Sequence, residues 1–297
     1  MELRVLEYFL AVAREQNITA AAESLHISQP ALSTQLKNLE DELGKQLLIR
    51  GVKGSRKVIL TEEGMILRKR AEEMILLMRR TEEEITGSNE TIAGNVFIGT
   101  GETETVRLFA KVAKKLQQKY PDIRYHISSG NAEYVLEYLD KGIIDFGLLF
   151  TEIDAQKYEA IPVPIKDTWG VLMRRDSPLA EKETICPEDL WDKPLIVSHQ
   201  KGDDRYLNQW LQREESELHI VATYNLLFNA SLLVDEGLGY ALCYDKLINT
   251  KGSDLCFRPF SPRLEAHGFI VWKKYQVFSK AANIFLQYLR EMLEAEV

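Results

Sequence analysis

The sequence predicts an α+β multidomain chain: an N-terminal winged helix-turn-helix, a long linker helix, and a two-lobed α/β domain behind it. Three observations predict this. Ile18 to Leu43 reads as two short helices around a tight turn, with a basic hairpin pattern following. From Thr61 the pattern is helical without interruption to about Ser88. From Asn95 onward, strand and helix patterns alternate through two successive series.

The first helix runs from Leu3 to Gln16, with Leu6, Phe9, Leu10 and Ala13 on its apolar face. Thr19 to Leu25 is alanine-rich and strongly helical. His26-Ile27 makes the turn, Ser28 is a natural N-cap, and Pro30 sits in the following first turn, where a missing N–H costs little. Leu32, Leu36, Leu39 and Leu43 mark one buried face of that helix. Its opposite face carries Gln29, Ser33, Thr34 and Lys37, small hydrogen-bonding groups and one cation of the kind that reads base edges and phosphates in a major groove. An ordinary amphipathic surface helix has the same periodicity, so this helix alone leaves both readings open.

After Gly44, two β-capable runs flank Gly51 to Ser55, and Arg50, Lys53, Arg56 and Lys57 cluster at the tip. A hairpin with cations at its end, beside a groove-reading helix, is how a winged helix is built. Thr61 then caps a long helix whose first turn carries Glu62 and Glu63. Leu67, Ala71, Met74, Met78, Thr81 and Ile85 alternate at heptad spacing, which predicts pairing with another subunit. Gly87 to Gly94 is a hinge by composition.

The first α/β series comprises NVFIGT, a helix from Thr103 to Lys119, IRYHIS, a helix from Ala132 to Leu139, and IIDFGLLF. The second comprises WGVLMRR, PLIVS, a helix from Asp203 to Gln212, HIVATY, a helix through Phe228 to Val234, and LGYALCY. HGFIVWK and a last helix from Ser279 to Leu293 close the chain. Pro162-Val163-Pro164 lies between the series and Ser261 to Glu265 after them, so the chain crosses twice between two lobes and leaves a hinged cleft. The expected division is residues 1–60 for the winged unit, 61–88 for the linker and 95–297 for the rest. Lobe I takes 95–162 and 266–297, and lobe II takes 163–265.

Net charge is −8, but its distribution is uneven. Through Arg80 there are 13 Lys and Arg against 11 Asp and Glu, leaving 24 against 34 in the remainder. Contact with a polyanion should therefore come from the N-terminal part, with modest affinity per unit and a need for paired units. Cys186, Cys243 and Cys256 have no metal-ligand spacing and read as reduced thiols. The N-terminus has no signal-peptide layout and no apolar run is long enough for a membrane helix, so the expected location is the cytoplasm.

Enzyme readings are weak. The five histidines are scattered, Ser198-His199 lacks a nucleophile elbow, and Gly99-x-Gly101 lacks the third glycine of a dinucleotide fingerprint. A metabolite sensor without a DNA role, and a small-molecule enzyme with an accessory helix-turn-helix, remain as alternatives.

ITAAAESLHISQPALSTQLKNLEDELGKQLLIR followed by LTEEG closely resembles the N-terminal signature of LysR-type transcriptional regulators. YPDI, GIIDFGLL and VDEGLGYAL are similar in layout to the rest of that family. The resemblance implies a non-enzymatic, DNA-binding homo-oligomer: a dimer through the linker helix, assembled further into a tetramer. It also implies an effector domain like a periplasmic binding protein and an interrupted palindrome as target. A small co-inducer would be its only bound small molecule, with no cofactor or metal. Carried over, Gln29, Pro30, Ser33, Thr34 and Lys37 face double-stranded DNA, and Arg50 and Arg56 meet the backbone or minor groove. The basic wing VKGSRKV and Leu48, where the family often has Phe, depart from the common pattern. The effector site is expected at the carboxyl ends of the parallel strands, near helix N-termini. There the chain carries Thr100, Gly101, Thr103, Ser128, Ser129, Gly130 and Asn131, and in the other lobe Ser198, His199 and Thr223. Hydroxyls and free N–H groups there favour an anionic metabolite. Glu102 and Glu104, at the same helix start, would occupy its positive end or select a zwitterion.

Overall fold

The computed structural model describes residues 1–51, 57–86, 92–198 and 204–295. They fall into two compact units, Met1–Thr86 and Gly87–Val297.

In the first unit, α1 (Leu3–Glu15), α2 (Ile18–Ser24) and α3 (Gln29–Leu43) bury Phe9, Val12, Ala21, Leu32, Leu36 and Leu39 in one core. Asn17 caps α2 by accepting from the Thr19 and Ala20 N–H groups, and Ser28 caps α3 by accepting from Ala31. Between them His26 takes the left-handed conformation that reverses the chain. Strands β1 (Leu48–Arg50) and β2 (Val58–Leu60) pair antiparallel as the wing. Its tip, with Lys53 and Arg56, lies outside the described residues.

Helix α4 (Glu62–Thr86) starts where Thr61 Oγ1 accepts from the Gly64 N–H at 3.0 Å. A Cβ on Gly64 would come within 2.2 Å of the Leu47 carbonyl oxygen, so the close approach of wing to helix requires glycine. The heptad seam is partly covered within the chain: Ala71 and Ile75 are buried against Leu6, with Leu67, Met74 and Met78 packed alongside. Toward the end of α4 the same stripe emerges, and Ile85 is 78% exposed.

The second unit contains two sets of parallel strands. In lobe I, β3 (Gly94–Thr100) lies between β4 (Ile123–Ser129) and β5 (Phe146–Leu149) and is parallel to both, with α5 (Val106–Gln117) and α6 (Ala132–Asp140) as crossovers. In lobe II, β7 (Leu195–Ser198) lies between β8 (Ile220–Tyr224) and β9 (Tyr240–Tyr244), with α7 (Asp204–Leu211) and α8 (Leu227–Asp235) in the connections. Two longer strands, β6 (Tyr158–Arg174) and β11 (Glu265–Lys273), pair antiparallel and carry the chain across, while β10 (Leu255–Pro259) lies on β6 and α9 (Lys280–Ala295) closes lobe I.

Pro162-Val163-Pro164 lies between the two series, and it does so inside a continuous strand, β6, that carries the chain across. Over this stretch β6 pairs with β11 alone, so it is an edge, and a proline can sit where no ladder N–H is needed. The register with β11 also shifts between His267 and Phe269, opposite these prolines. The lobe boundary expected at residues 162 and 163 thus falls within one continuous strand.

Phe109, Phe146, Phe285 and Ile270 fill the core under α5 and α9, and Val135, Leu139, Tyr158 and Val271 fill the face under α6. Lobe II buries Trp169, Leu195, Trp210 and Leu242, with Trp210 stacked on Phe260 at 3.8 Å. Among the described residues no helix is long and apolar enough to cross a membrane.

Candidate nucleic-acid interface and ligand cleft

Helix α3 turns Leu32, Leu36 and Leu39 fully inward, so the remaining positions must face out. Gln29, Pro30, Thr34 and Lys37 are exposed and Ser33 is half-buried. Gln29 Nε2 donates to Ser33 Oγ at 2.7 Å, and Thr34 Oγ1 donates to the Pro30 carbonyl at 2.9 Å. These bonds hold the short polar side chains in place while leaving acceptor and donor capacity outward. The face is polar and weakly cationic, as base-edge readout needs.

Arg50 stands on β1 beside this helix, exposed, and pairs with Glu40 at 3.2 Å. Glu40 was not singled out by sequence. Its carboxylate also accepts from the Leu47 and Leu48 N–H groups at 2.8 and 3.0 Å. It therefore ties the wing to the end of α3 and aims Arg50. No pattern marks it, because its partners lie 7 to 10 residues away on another element. Arg56 lies outside the described residues.

In the second unit, the carboxyl ends of the strands enclose a small cavity of about 70 Å³. Gly101, Glu102, Phe150, Trp169, Ser198 and Tyr224 contribute to its wall, with Asn225 and Cys243. Of the expected effector residues, only Gly101 and Ser198 are on that wall. Thr100 is 1% exposed and donates to the Gly101 carbonyl. Thr103 is buried and donates to Asp167. The Gly130 N–H donates to the Thr100 carbonyl at 3.0 Å, and a Cβ there would strike the Tyr134 ring. Asn131 caps α6 through the Tyr134 N–H at 2.9 Å. Ser129 and Thr223 are exposed away from the cavity, and His199 is outside the described residues. Hydroxyls near helix starts mostly serve the helices themselves, which sequence position cannot distinguish from ligand duty.

Two helix N-termini near the cleft, those of α5 and α8, are already occupied. Asp167, on β6, accepts from the Thr103 and Thr105 hydroxyls at the start of α5. Burial pushes its carboxyl above the usual range, while those hydroxyls and a backbone N–H pull the other way. Glu102, from lobe I, accepts from the Leu227 N–H that opens α8 in lobe II. Glu104 pairs with Arg107 instead. The described cavity wall holds one charged side chain, the Glu102 carboxylate, and no Lys or Arg. Burial raises the Cys243 thiol far above its ordinary value, so it is an inert wall group.

Comparison with known proteins places these features. Residues 89–294 match the LysR substrate binding domain, and residues 3–65 match the bacterial regulatory helix-turn-helix protein, lysR family. The chain is 25% identical over 300 residues to the uncharacterized HTH-type transcriptional regulator YvbU of Bacillus subtilis, spanning 100% of both. It is 32% identical over 198 residues to the DNA-binding transcriptional dual regulator OxyR of Escherichia coli K12, covering 66% of this chain and 63% of that one. Among solved structures, full-length CbnR complexed with its target DNA has the same fold, with a TM-score of 0.77 at 20% identity over 98% of this chain and 99% of that one.

Proposed function

The chain belongs to the LysR family of DNA-binding transcriptional regulators, which are not enzymes, and from that premise we propose how it works. It binds an interrupted palindrome as a homo-oligomer, through α3 and the wing, and answers to a small zwitterionic metabolite in the cleft. Residues 1–60 read DNA, 61–88 pair subunits and 95–297 sense. It acts in the cytoplasm, where the DNA is, and needs no cofactor besides the effector.

The outward polar stripe of α3, set over a fully buried leucine stripe, supports the DNA role. With an excess of only two positive charges through Arg80, one unit binds phosphate weakly, so two must bind together. An apolar groove of about 390 Å³ along α4, lined by Leu3, Leu77, Thr81 and Ile85, supports pairing through that helix. Helix α8 exposes Phe228 at 63% and Leu232 at 51% while burying its other side, which supports a second self-contact and a tetramer.

The effector reading rests on Glu102. A cleft whose one charged group on the described wall is a carboxylate, and beside which the starts of α5 and α8 already hold carboxylates, disfavours a plain anion. A ligand ammonium would meet Glu102, and Ser198 and Asn225 would receive the ligand carboxylate. At about 70 Å³ the cavity is far below the few hundred Å³ of a typical ligand site, so entry parts Glu102 from Leu227 and opens the lobes. Cys243, the thiol on the cleft wall, is buried and held protonated, which argues for a metabolite rather than its oxidation as the signal.

The test is salt-dependent binding of the full chain to DNA adjoining its own gene, with a thermal-shift panel of amino acids and related compounds. The expected result is a sequence-selective shift at low salt, and stabilisation by compounds bearing both ammonium and carboxylate that Glu102→Gln removes. If no fragment shifts, the DNA role fails. Stabilisation only by pure anions, pure cations or uncharged compounds sinks the zwitterion.

A further inference from the structure

The second unit holds a cavity other than the cleft. It is a chamber of about 820 Å³, well within the range of small-molecule sites, whose lining departs from that of the cleft except at Phe150 and Trp169. These two residues, with Tyr244 at 5.7 Å from Phe150 and 4.5 Å from Trp169 between ring centroids, stand on the boundary of the two spaces. The chamber exists because α6 covers Tyr158 and Phe269 while the neighbouring stretch of β6, around Ala160, has no helix over it and remains exposed. Tyr206 of α7, 52% exposed, stands on the lobe II side.

We infer that this chamber is a second binding site, for a flat aromatic molecule carrying a cationic group. Trp169, Phe150, Phe269 and Tyr206 give aromatic surface from both lobes and from both crossing strands, which suits a ring in stacked or edge contact. Charge at the rim selects the cation. Glu265 is already paired with Lys166 at 2.9 Å and Arg263 at 3.1 Å. Glu152 and Glu159 are exposed and have no ion pair among the described residues, and on the described lining Lys274 is the one ammonium set against them, with His267 as the other basic side chain. An arylalkyl ammonium therefore gains a carboxylate while its ring replaces water on apolar walls. The inference does not rest on the cleft reading, since Glu102 takes no part in it.

The experiment is calorimetric titration of the full chain with 2-naphthylmethylammonium and, separately, with 2-naphthoate. The expected result is saturable binding of the ammonium at one per chain, and at least tenfold weaker binding of the carboxylate. Ala160→Trp, at an exposed position where a larger side chain projects into the chamber, should weaken the ammonium at least tenfold. Ala160→Leu should do so by a smaller factor if the bulkier variant folds poorly. Glu159→Gln should cut ammonium affinity several-fold and leave naphthoate unchanged or better bound. Glu102→Gln should leave ammonium binding unaltered, which separates the chamber from the cleft. The inference is overturned by absence of saturable binding, by naphthoate binding as well as the ammonium, by indifference to both Ala160 variants, or by loss of binding in Glu102→Gln.

Discussion

The outward face of α3 and the ligand cleft are built on opposite plans. The groups on α3 come from nine consecutive residues, Gln29 to Lys37, and turn toward solvent because the leucines between them turn inward. The groups at and beside the cleft come from segments 62 to 125 residues apart, and several already bind one another. Glu102 holds the Leu227 N–H, and Asp167 holds Thr103 and Thr105. A surface that meets a large, fixed polyanion can be preformed and open. A cleft that responds to a small molecule has internal contacts to lose, and their exchange for ligand contacts is what can shift the domain between states.

Four sets of substitutions test that contrast, the largest effect first. Leu36→Ala removes a fully buried side chain directly beneath the exposed stripe. It should cost about 2–5 kcal/mol in denaturant unfolding of the N-terminal unit and abolish DNA binding with it. A cost below about 1 kcal/mol would mean that α3 is not held by its leucine face.

Glu40→Ala should come next, at about 1–3 kcal/mol, because the Leu47 and Leu48 N–H groups lose their acceptor. It should also free Arg50, so DNA affinity measured at equal folded fraction should fall for every sequence alike. If DNA affinity is untouched, Glu40 does not position the wing.

Within the stripe, replacing Ser33 and Thr34 by alanine should relax sequence preference by about 1–3 kcal/mol per base contact. Lys37→Ala or Arg50→Ala should instead weaken all sequences evenly and lower the salt slope by about one. Equal loss of preference from both kinds of change would refute this division between reading and holding.

The smallest effect is at Asp167. Its folded-state carboxyl is raised above the ordinary 3.8 by burial, so the folded chain holds its proton to higher pH than the unfolded chain does. Stability from this group is therefore fully present below the ordinary value and is lost as pH rises through the folded one. Asp167→Asn should remove that slope, so urea curves of the two proteins should diverge across the mildly acidic range and run parallel outside it. Parallel curves throughout would show that the carboxyl is as well solvated folded as unfolded.

The legibility of the two regions follows their plans. Ser28 and Thr61 could be read as caps, and the leucine spacing of α3 as a core face, because each depends on neighbours within one or two turns. The strand and helix patterns behind Asn95 were legible for the same reason. Pro162 and Pro164 could be read as lying between the two series, but that they sit inside a strand could not, because whether a strand tolerates a proline depends on what pairs with its other edge. That Thr100, Thr103 and Asn131 bond within the chain was not legible, because a hydroxyl or amide at a strand end reads alike whether it faces a ligand or a helix start.

Sequence by itself thus determined the elements, their order, the outward stripe on α3 and the family to which the chain belongs, since those are properties of contiguous residues. Tertiary structure alone decided that Glu40 ties wing to helix, that Asp167 and Glu102 occupy the helix starts, and that a large aromatic chamber lies beside the small cleft. The reason is physical: a hydrogen bond or a cavity wall is set by distance in space, and along the chain Glu102 and Leu227 are 125 residues apart.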